Sequence, residues 1–435
     1  MKTRILILLI ITYIISGTDC FAGGNGPETL SLTEAIQMAV TNQPLIRQAE
    51  AQVNAAEAKI KQSDSYYYPV VEGNLSYTRI GPLPSFNFGG ENLYLAPANN
   101  YNMNVSASQL LYDFGKRDAI MELSKSYKIS SEDKISFIKN DFAYRTVAVF
   151  YSILFLEKSI GVKNKEIAAL KKHIELTTRK VESGSATDFD ILTTRVKLAS
   201  VENEKIDMMN SLKKAKINIA GLLGIDNAED LILEGNFDKS LQTIDTEILV
   251  GEAFNTRQEI ILAKDAEKSA ELNKSFSVLG DKPMLNLFAS YGLKNGFEPN
   301  LDVLRGNWTA GVSAKLPIFN GNLNDAKVEE AEAELKNSSE KIPELKRKIK
   351  VEVEKAVADY NSNLAKLDAV RLQIEQAKQA VSRAEISYRD GVITNLDLID
   401  AETNLSEAEL QFVRIQYQNV LNSYEVEKAV GNKLW

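Results

Sequence analysis

One segment of this chain occurs twice. Residues 181–199 read VESGSATDFDILTTRVKLA, and residues 388–406 read YRDGVITNLDLIDAETNLS. Gly184 aligns with Gly391, Asp190 with Asp397 and Leu192 with Ile399, at unchanged spacing. Upstream, QLLYDFG (109–115) pairs with KLPIFNG (315–321), and SLTEAIQMAVTNQP (31–44) pairs more weakly with ILVGEAFNTRQE (248–259). Two copies of a unit of about 200 residues restrict the fold sharply, because a repeated sequence builds a repeated structural unit. The expected organisation is a signal segment 1–22, a first repeat 23–224, a joining segment 225–250 and a second repeat 251–435.

The ten prolines mark what each unit contains. None lies between Pro97 and Pro283, and none after Pro343. Proline breaks helix interiors, so these tracts are free to form long helices. Leu367, Val370, Ile374, Ala377, Val381, Ala384 and Tyr388 alternate at spacings of three and four. Ile399, Thr403, Ser406, Leu410, Val413, Tyr417, Val420 and Tyr424 resume the alternation after Gly391. That is the heptad seam of two packed helices. The spacing predicts helices over about 116–181, 187–223, 322–388 and 394–431, with Gly184 and Gly391 ending the first of each pair. Pro343 is expected to kink or interrupt the third.

Four strand candidates remain. In 102–108, Met103, Val105 and Ala107 alternate with Asn104, Ser106 and Ser108. In 307–316, Trp308, Ala310, Val312, Ala314 and Leu316 share one face, opposite Asn307, Thr309, Gly311, Ser313 and Lys315. Residues 70–79 and 284–293 alternate less cleanly. Period-two alternation over about ten residues suits a transmembrane barrel strand, apolar to lipid and polar to the lumen. Val105, Ala107, Trp308, Ala310 and Val312 are the expected lipid-facing residues. The loops 80–101 and 294–306 join the strand pairs. Tyr94, Tyr101, Phe297 and Trp308 near those loops, with Tyr66, Tyr67, Tyr68, Tyr112, Phe114 and Phe319 at the other ends, suit two interfacial girdles. Four strands close no useful barrel, and open edges are costly in lipid, so strands must be pooled between subunits.

The chain starts MKTR, followed by an apolar run from Ile5 to Ile15 and then SGTDCFAGG, which reads as a secretory signal cleaved after Ala22. The only cysteine, Cys20, is expected to leave with it, since Asp19 before it fits a lipidation signal poorly. The net charge of −8 gives no support to nucleic-acid binding. No nucleophile–base arrangement, metal-ligand cluster or phosphate loop is apparent, so neither catalysis nor a cofactor is expected. The single histidine, His173 in KKHIE, reads as a solvated helix residue.

In order, SLTEAIQMAVTNQPLIRQAEA, SQLLYDFGKR, the turn GSATDFDIL with its copy GVITNLDLIDAETNL, and the closing YEVEKAVGNKLW resemble the TolC-type outer-membrane efflux proteins across the whole mature chain. The resemblance implies a mainly α protein with a transmembrane β-barrel. It implies a homotrimer in the outer membrane of a Gram-negative bacterium, with a twelve-stranded barrel and a periplasmic α-helical tunnel. It also implies a passive exit duct for efflux or type I secretion, working with a periplasmic adaptor protein and an inner-membrane pump. Asp397 and Asp400 fall on aspartates that ring the periplasmic mouth, Tyr388 on a tyrosine that holds it shut, and Asp190 on an aspartate of the first-half turn. A member of that family has an arginine where this chain has Ile393, so the closing network differs here and Arg389 is the candidate substitute. Gly184, Ser185, Gly391 and Val392 at the turn tips would meet the adaptor. Grouped mouth aspartates should repel, raise some of their pKa values and attract cations. Thr187-x-x-Asp190 and Thr394-x-x-Asp397 are also capping-box patterns, which suffice for those two aspartates but not for Asp400. The alternative is a periplasmic coiled-coil scaffold or adaptor protein without a barrel.

Overall fold

The computed structural model describes residues 29–226, 231–239 and 245–435. The signal segment, Cys20 and parts of the joining segment lie outside the described residues. The first repeat comprises β1 (Thr29–Ser31), α1 (Leu32–Asn42), α2 (Pro44–Ser65), β2 (Val70–Arg79), β3 (Ser85–Phe88), β4 (Glu91–Tyr94), β5 (Asn99–Tyr112), α3 (Lys116–Glu182) and α4 (Asp188–Leu223). After β6 (Ile232–Glu234), the second comprises α5 (Thr246–Thr256), α6 (Gln258–Val278), β7 (Met284–Lys294), β8 (Arg305–Lys315), α7 (Leu323–Arg389) and α8 (Asn395–Val430).

The duplication is carried through to helix length. α3 and α7 each have 67 residues, and α4 and α8 each have 36. At 1.5 Å per residue the longer pair reaches roughly 100 Å. Both turns close with the same chemistry. Gly184 and Gly391 adopt positive φ, +74° and +77°. In each turn the two N–H groups past the helix end bond back to its last turn, Gly184 to Val181 and Ser185 to Lys180, then Gly391 to Tyr388 and Val392 to Ser387. This is the glycine-dependent helix stop. The seam residues read from the heptads are buried or half-buried throughout α7 and α8.

Two apolar clusters hold the middle of the molecule. One joins Ile36 and Ala39 of α1 to Phe150 and Leu154 of α3, Ile219 of α4 and Val420 of α8, with Leu233 of β6 added beneath. β6 pairs in parallel with β1, which ties the start of the joining segment to the start of the first repeat. The other joins α5 and α6 to Ile349, Val353 and Tyr360 of α7 and Val426 of α8. Toward the turns the apolar clusters shrink to Ile167, Leu170 and Val201, with Leu398 and Ile399 buried beside the second turn, and buried polar groups share in holding that end.

β2, β5, β7 and β8 form one antiparallel sheet in that order. Its register aligns the predicted apolar positions in rows. Val105 lies across from Tyr291 and Tyr291 from Trp308; Ala107 faces Ala289 and Ala289 faces Ala310; Leu287 faces Val312. The intervening rows are polar, with Ser106, Ser290 and Thr309 in one of them and a 2.8 Å bond between the last two. Phe288 breaks the alternation of β7, and a Cβ on Gly311 would stand 2.8 Å from its ring, so the glycine makes room for it.

Three details differ from expectation. The 80–101 segment contains the β3–β4 hairpin. β5 extends to Tyr112, past a register shift between Leu110 and Tyr112 that interrupts its period-two pattern. α7 runs unbroken through Pro343. The proline is exposed, so water can reach the region of the carbonyl it leaves unpaired, and packing on α5 and α6 holds the helix on either side. Among the described residues, no helix is long and apolar enough to cross a membrane.

Candidate functional site

The turn end of the hairpins contains a buried polar cluster drawn from all four long helices. His173 on α3 is only 3% exposed, which corrects its reading as a solvated residue. Its position follows from helix phase. Ile167, Leu170, His173 and Thr177 continue one buried stripe of α3, while the lysines of KKHIE point outward. His173 Nε2 lies 2.5 Å from Asn395 Oδ1 at the start of α8. The Asn395 amide donates to the Asp190 carbonyl at 3.1 Å and to the hydroxyls of Thr193 and Thr194 at 3.2 Å each, on α4. A backbone carbonyl only accepts, so the amide nitrogen must face Asp190 and the amide oxygen must face His173. His173 Nε2 therefore carries the proton of the neutral ring and donates it to Asn395.

Tyr388, at the end of α7, completes the cluster. It is 5% exposed, its hydroxyl lies 3.1 Å from Thr177 Oγ1, and its ring is 5.1 Å from that of His173. The Lys180 ammonium sits 4.4 Å from the ring centroid and donates to the Tyr388 carbonyl. Tyr388 thus binds α7 to α3, and Asn395 binds α8 to both α3 and α4. About two turns farther along α3 and three along α8, Ser406 of α8 donates to Glu166 of α3 at 2.5 Å, and Lys163 pairs with Glu166 at 2.8 Å. Between these contacts lies Glu402 of α8, one of whose carboxyl oxygens is buried without a partner. Burial, then the charges of Glu385 and Glu166, push its carboxyl up to about 7, against a smaller opposing effect of Lys172.

The predicted mouth and turn-tip residues divide into three groups. Tyr388 is built into the cluster. Asp190 and Asp397 are helix caps: the N–H and hydroxyl of Thr187 donate to Asp190 at 2.9 and 2.8 Å, and those of Thr394 to Asp397 at 2.8 and 2.6 Å. The Thr394 hydroxyl and N–H hold the Asp397 carboxyl below its ordinary range, opposing the upward push expected from crowded acids. Asp400, Arg389, Gly184, Ser185, Gly391 and Val392 are exposed. His173, Thr177, Lys180, Asn395, Thr193, Thr194 and Glu402 do not stand out in the sequence as site residues. Helix phase is the available signal for His173, and its charged neighbours obscure it. Among the described residues, no group of three His, Cys, Asp or Glu side chains could hold a metal ion.

The turn glycines give a direct test of the local geometry. A Cβ at Gly184 or at Gly391 would stand in open space, so alanine there would meet only backbone strain. Gly391→Ala is expected to cost about 1–2 kcal/mol and to lower the midpoint of the helical melting curve. An unchanged midpoint would show that the left-handed conformation is dispensable.

Residues 35–225 and 283–432 match the family described as outer membrane efflux protein. Outer membrane protein TolC of Salmonella enteritidis is 20% identical over 99% of this chain and 87% of its own. Cobalt-zinc-cadmium resistance protein CzcC of Cupriavidus metallidurans is 22% identical over 73% of this chain and 74% of its own. Among solved structures, the outer membrane protein VceC from Vibrio cholerae superposes with a TM-score of 0.78 at 19% identity, covering 93% of this chain and 97% of that one. The open state of the MtrE outer membrane channel from Neisseria gonorrhoeae gives 0.76 at 20% identity, covering 93% and 89%.

Proposed function

The chain belongs to the outer membrane efflux protein family, and we propose that three copies of it close a single gated duct. It is an outer-membrane protein that serves as the exit duct of an efflux or type I secretion system. The observation that carries the three-copy reading is the four-stranded sheet. Strands of 11 residues at about 3.3 Å each, tilted about 45°, cover about 25 Å, the height of a membrane's apolar band. Val105, Ala107, Trp308, Ala310 and Val312 then face lipid. β2 and β8 each end the sheet with an unpaired edge among the described strands, a cost of several kcal/mol per unsatisfied group in lipid. Pairing β2 of one copy with β8 of the next removes every edge, and three copies give twelve strands. The helices support the same assembly. α4 exposes Phe189, Leu192, Val196, Ile206 and Ile217, and α7 exposes Val351, Leu372 and Ile386, so both hairpins carry apolar surface for a neighbour to cover.

The hairpins extend into the periplasm, and their turns form the mouth. Tyr388 closes it from within each protomer, with Asp397 and Asp400 lining the opening, Asp190 capping beside it and Arg389 at the rim. Gly184, Ser185, Gly391 and Val392 are the surface for a periplasmic adaptor protein, through which the duct meets an inner-membrane pump. The protein acts as a passive conduit without catalysis.

Mass measurement in mild detergent tests the assembly: a trimer is expected, and a monodisperse monomer would reject strand pooling. The mouth is tested by replacing Asp397 and Asp400 together with asparagine, which removes charge while keeping an acceptor for the Thr394 cap. Block by divalent cations from the periplasmic side and preference for cations should both weaken in planar bilayers. Unchanged block in an intact trimer would return both residues to capping and surface roles.

A further inference from the structure

We propose that His173 is a positioning residue of this gate, and that adding a proton to it lets the two hairpins of a protomer part. The inference rests on the reading of the turn end as the mouth. Its basis is where the proton would go. Nε2 is already committed as a donor to Asn395, so an incoming proton must take Nδ1 and place a full positive charge in a site 3% exposed. His173 forms no ion pair among the described residues. On α3 its neighbours in the cluster are the Thr177 hydroxyl and Lys180, whose ammonium is itself a cation, set over the Tyr388 ring. α7 supplies the Tyr388 phenol and α8 the uncharged Asn395 amide. From α4, Asp190 is the one carboxylate that acts on the ring, and both Thr187 donors already bind it. On α8, Asp397 is held by Thr394, and Glu402 lies farther along the helix.

Burial outweighs the favourable Asn395 bond and the Asp190 charge, so the imidazole is held below the ordinary histidine range. The sign follows from linkage. The parted state, with a solvated ring, binds the proton more readily than the closed one. The closed state therefore keeps its full advantage above the ordinary histidine pKa and loses it as pH falls through that range. Glu402 works in the opposite sense. Its raised pKa means that acidification from about 7 toward the ordinary glutamate range strengthens the seam. His173 must therefore be isolated by comparison with a variant that does not titrate at that position.

The experiment measures trimer conductance in planar bilayers at about pH 7.5 and about pH 5.5 for the native chain, His173→Gln and Tyr388→Ala. The acid-to-neutral conductance ratio of the native chain should exceed that of His173→Gln by roughly fivefold or more. Equal ratios would overturn the proposal. Tyr388→Ala separates the two readings: raised conductance at neutral pH with equal ratios leaves the gate standing and removes His173 from it, whereas no change in Tyr388→Ala removes the gate and the proposal together. A second measurement needs no His173 variant. His173 is the chain's only histidine, so selective isotope labelling of the untagged protein gives a single titrating imidazole signal. Its midpoint should lie below about 6.5 in the native trimer and move toward that value in Tyr388→Ala. An ordinary midpoint in the native trimer would overturn the proposal.

Discussion

Arginine at Val312 should prevent recovery of the assembled protein from the membrane. Val312 is 59% exposed, and its row partner is Leu287. On the lipid side of a barrel, an arginine near the bilayer midplane costs about 2–4 kcal/mol in each chain, and three chains would bear it at once. Ser313→Arg is the matched control, because the next residue of a strand points to the opposite face, here in the row of Asn286. There the guanidinium would enter the lumen of the proposed barrel, and the effect should be mild. Trimer yield and urea resistance read both variants. Equal sensitivity at the two positions would reject the barrel.

Asn395→Ala should open the mouth at neutral pH. The side chain joins α8 to the Asp190 carbonyl, to Thr193 and Thr194, and to His173. Truncation leaves the buried His173 Nε2–H without its acceptor, at about 1–3 kcal/mol, while the Thr193 and Thr194 hydroxyls keep their bonds to the Asp190 carbonyl. Each 1.4 kcal/mol changes a population by about tenfold, so the closed state should lose about that factor in every protomer. The expected result is an intact trimer with strongly raised conductance at pH 7. A correctly assembled Asn395→Ala trimer that conducts like the native one would mean that the cluster braces the hairpins without holding the mouth.

The parts of this fold legible in the sequence are those governed by local rules stated twice. Helix ends, turn glycines and both capping boxes depend on neighbours within one turn, so Thr187 with Asp190 and Thr394 with Asp397 can be read directly. The rows of the sheet follow from simple alternation at 307–316, but less clearly at 284–293, where Phe288 occupies a polar row over Gly311. The end of β5 is hidden by its register shift, and the β3–β4 hairpin by the turn residues around it. Pro343 reads locally as a helix breaker, yet tertiary packing carries the helix through it. The buried cluster is the least legible feature, because its partners lie more than 200 positions apart: His173 with Asn395 and Thr177 with Tyr388. Nothing local to KKHIE announces an asparagine on another helix.

Equal hairpins have a consequence for symmetry. With α3 matching α7 and α4 matching α8 residue for residue in length, six hairpins of equal reach would line a three-copy duct, giving a wall that is sixfold in outline. The closing chemistry does not share that symmetry. In the second copy, Ala380 stands for His173, Ala384 for Thr177 and Ser387 for Lys180; in the first, Val181 stands for Tyr388 and Asp188 for Asn395. Every one of these cluster positions has diverged between the copies, while the glycine turns and the Thr-x-x-Asp caps have not. Duplication would then have supplied a frame of sixfold outline, and divergence at a handful of sites would have reduced its closing contacts to threefold symmetry, with the Tyr388–Thr177 and Asn395–His173 pairs each repeated three times around one axis.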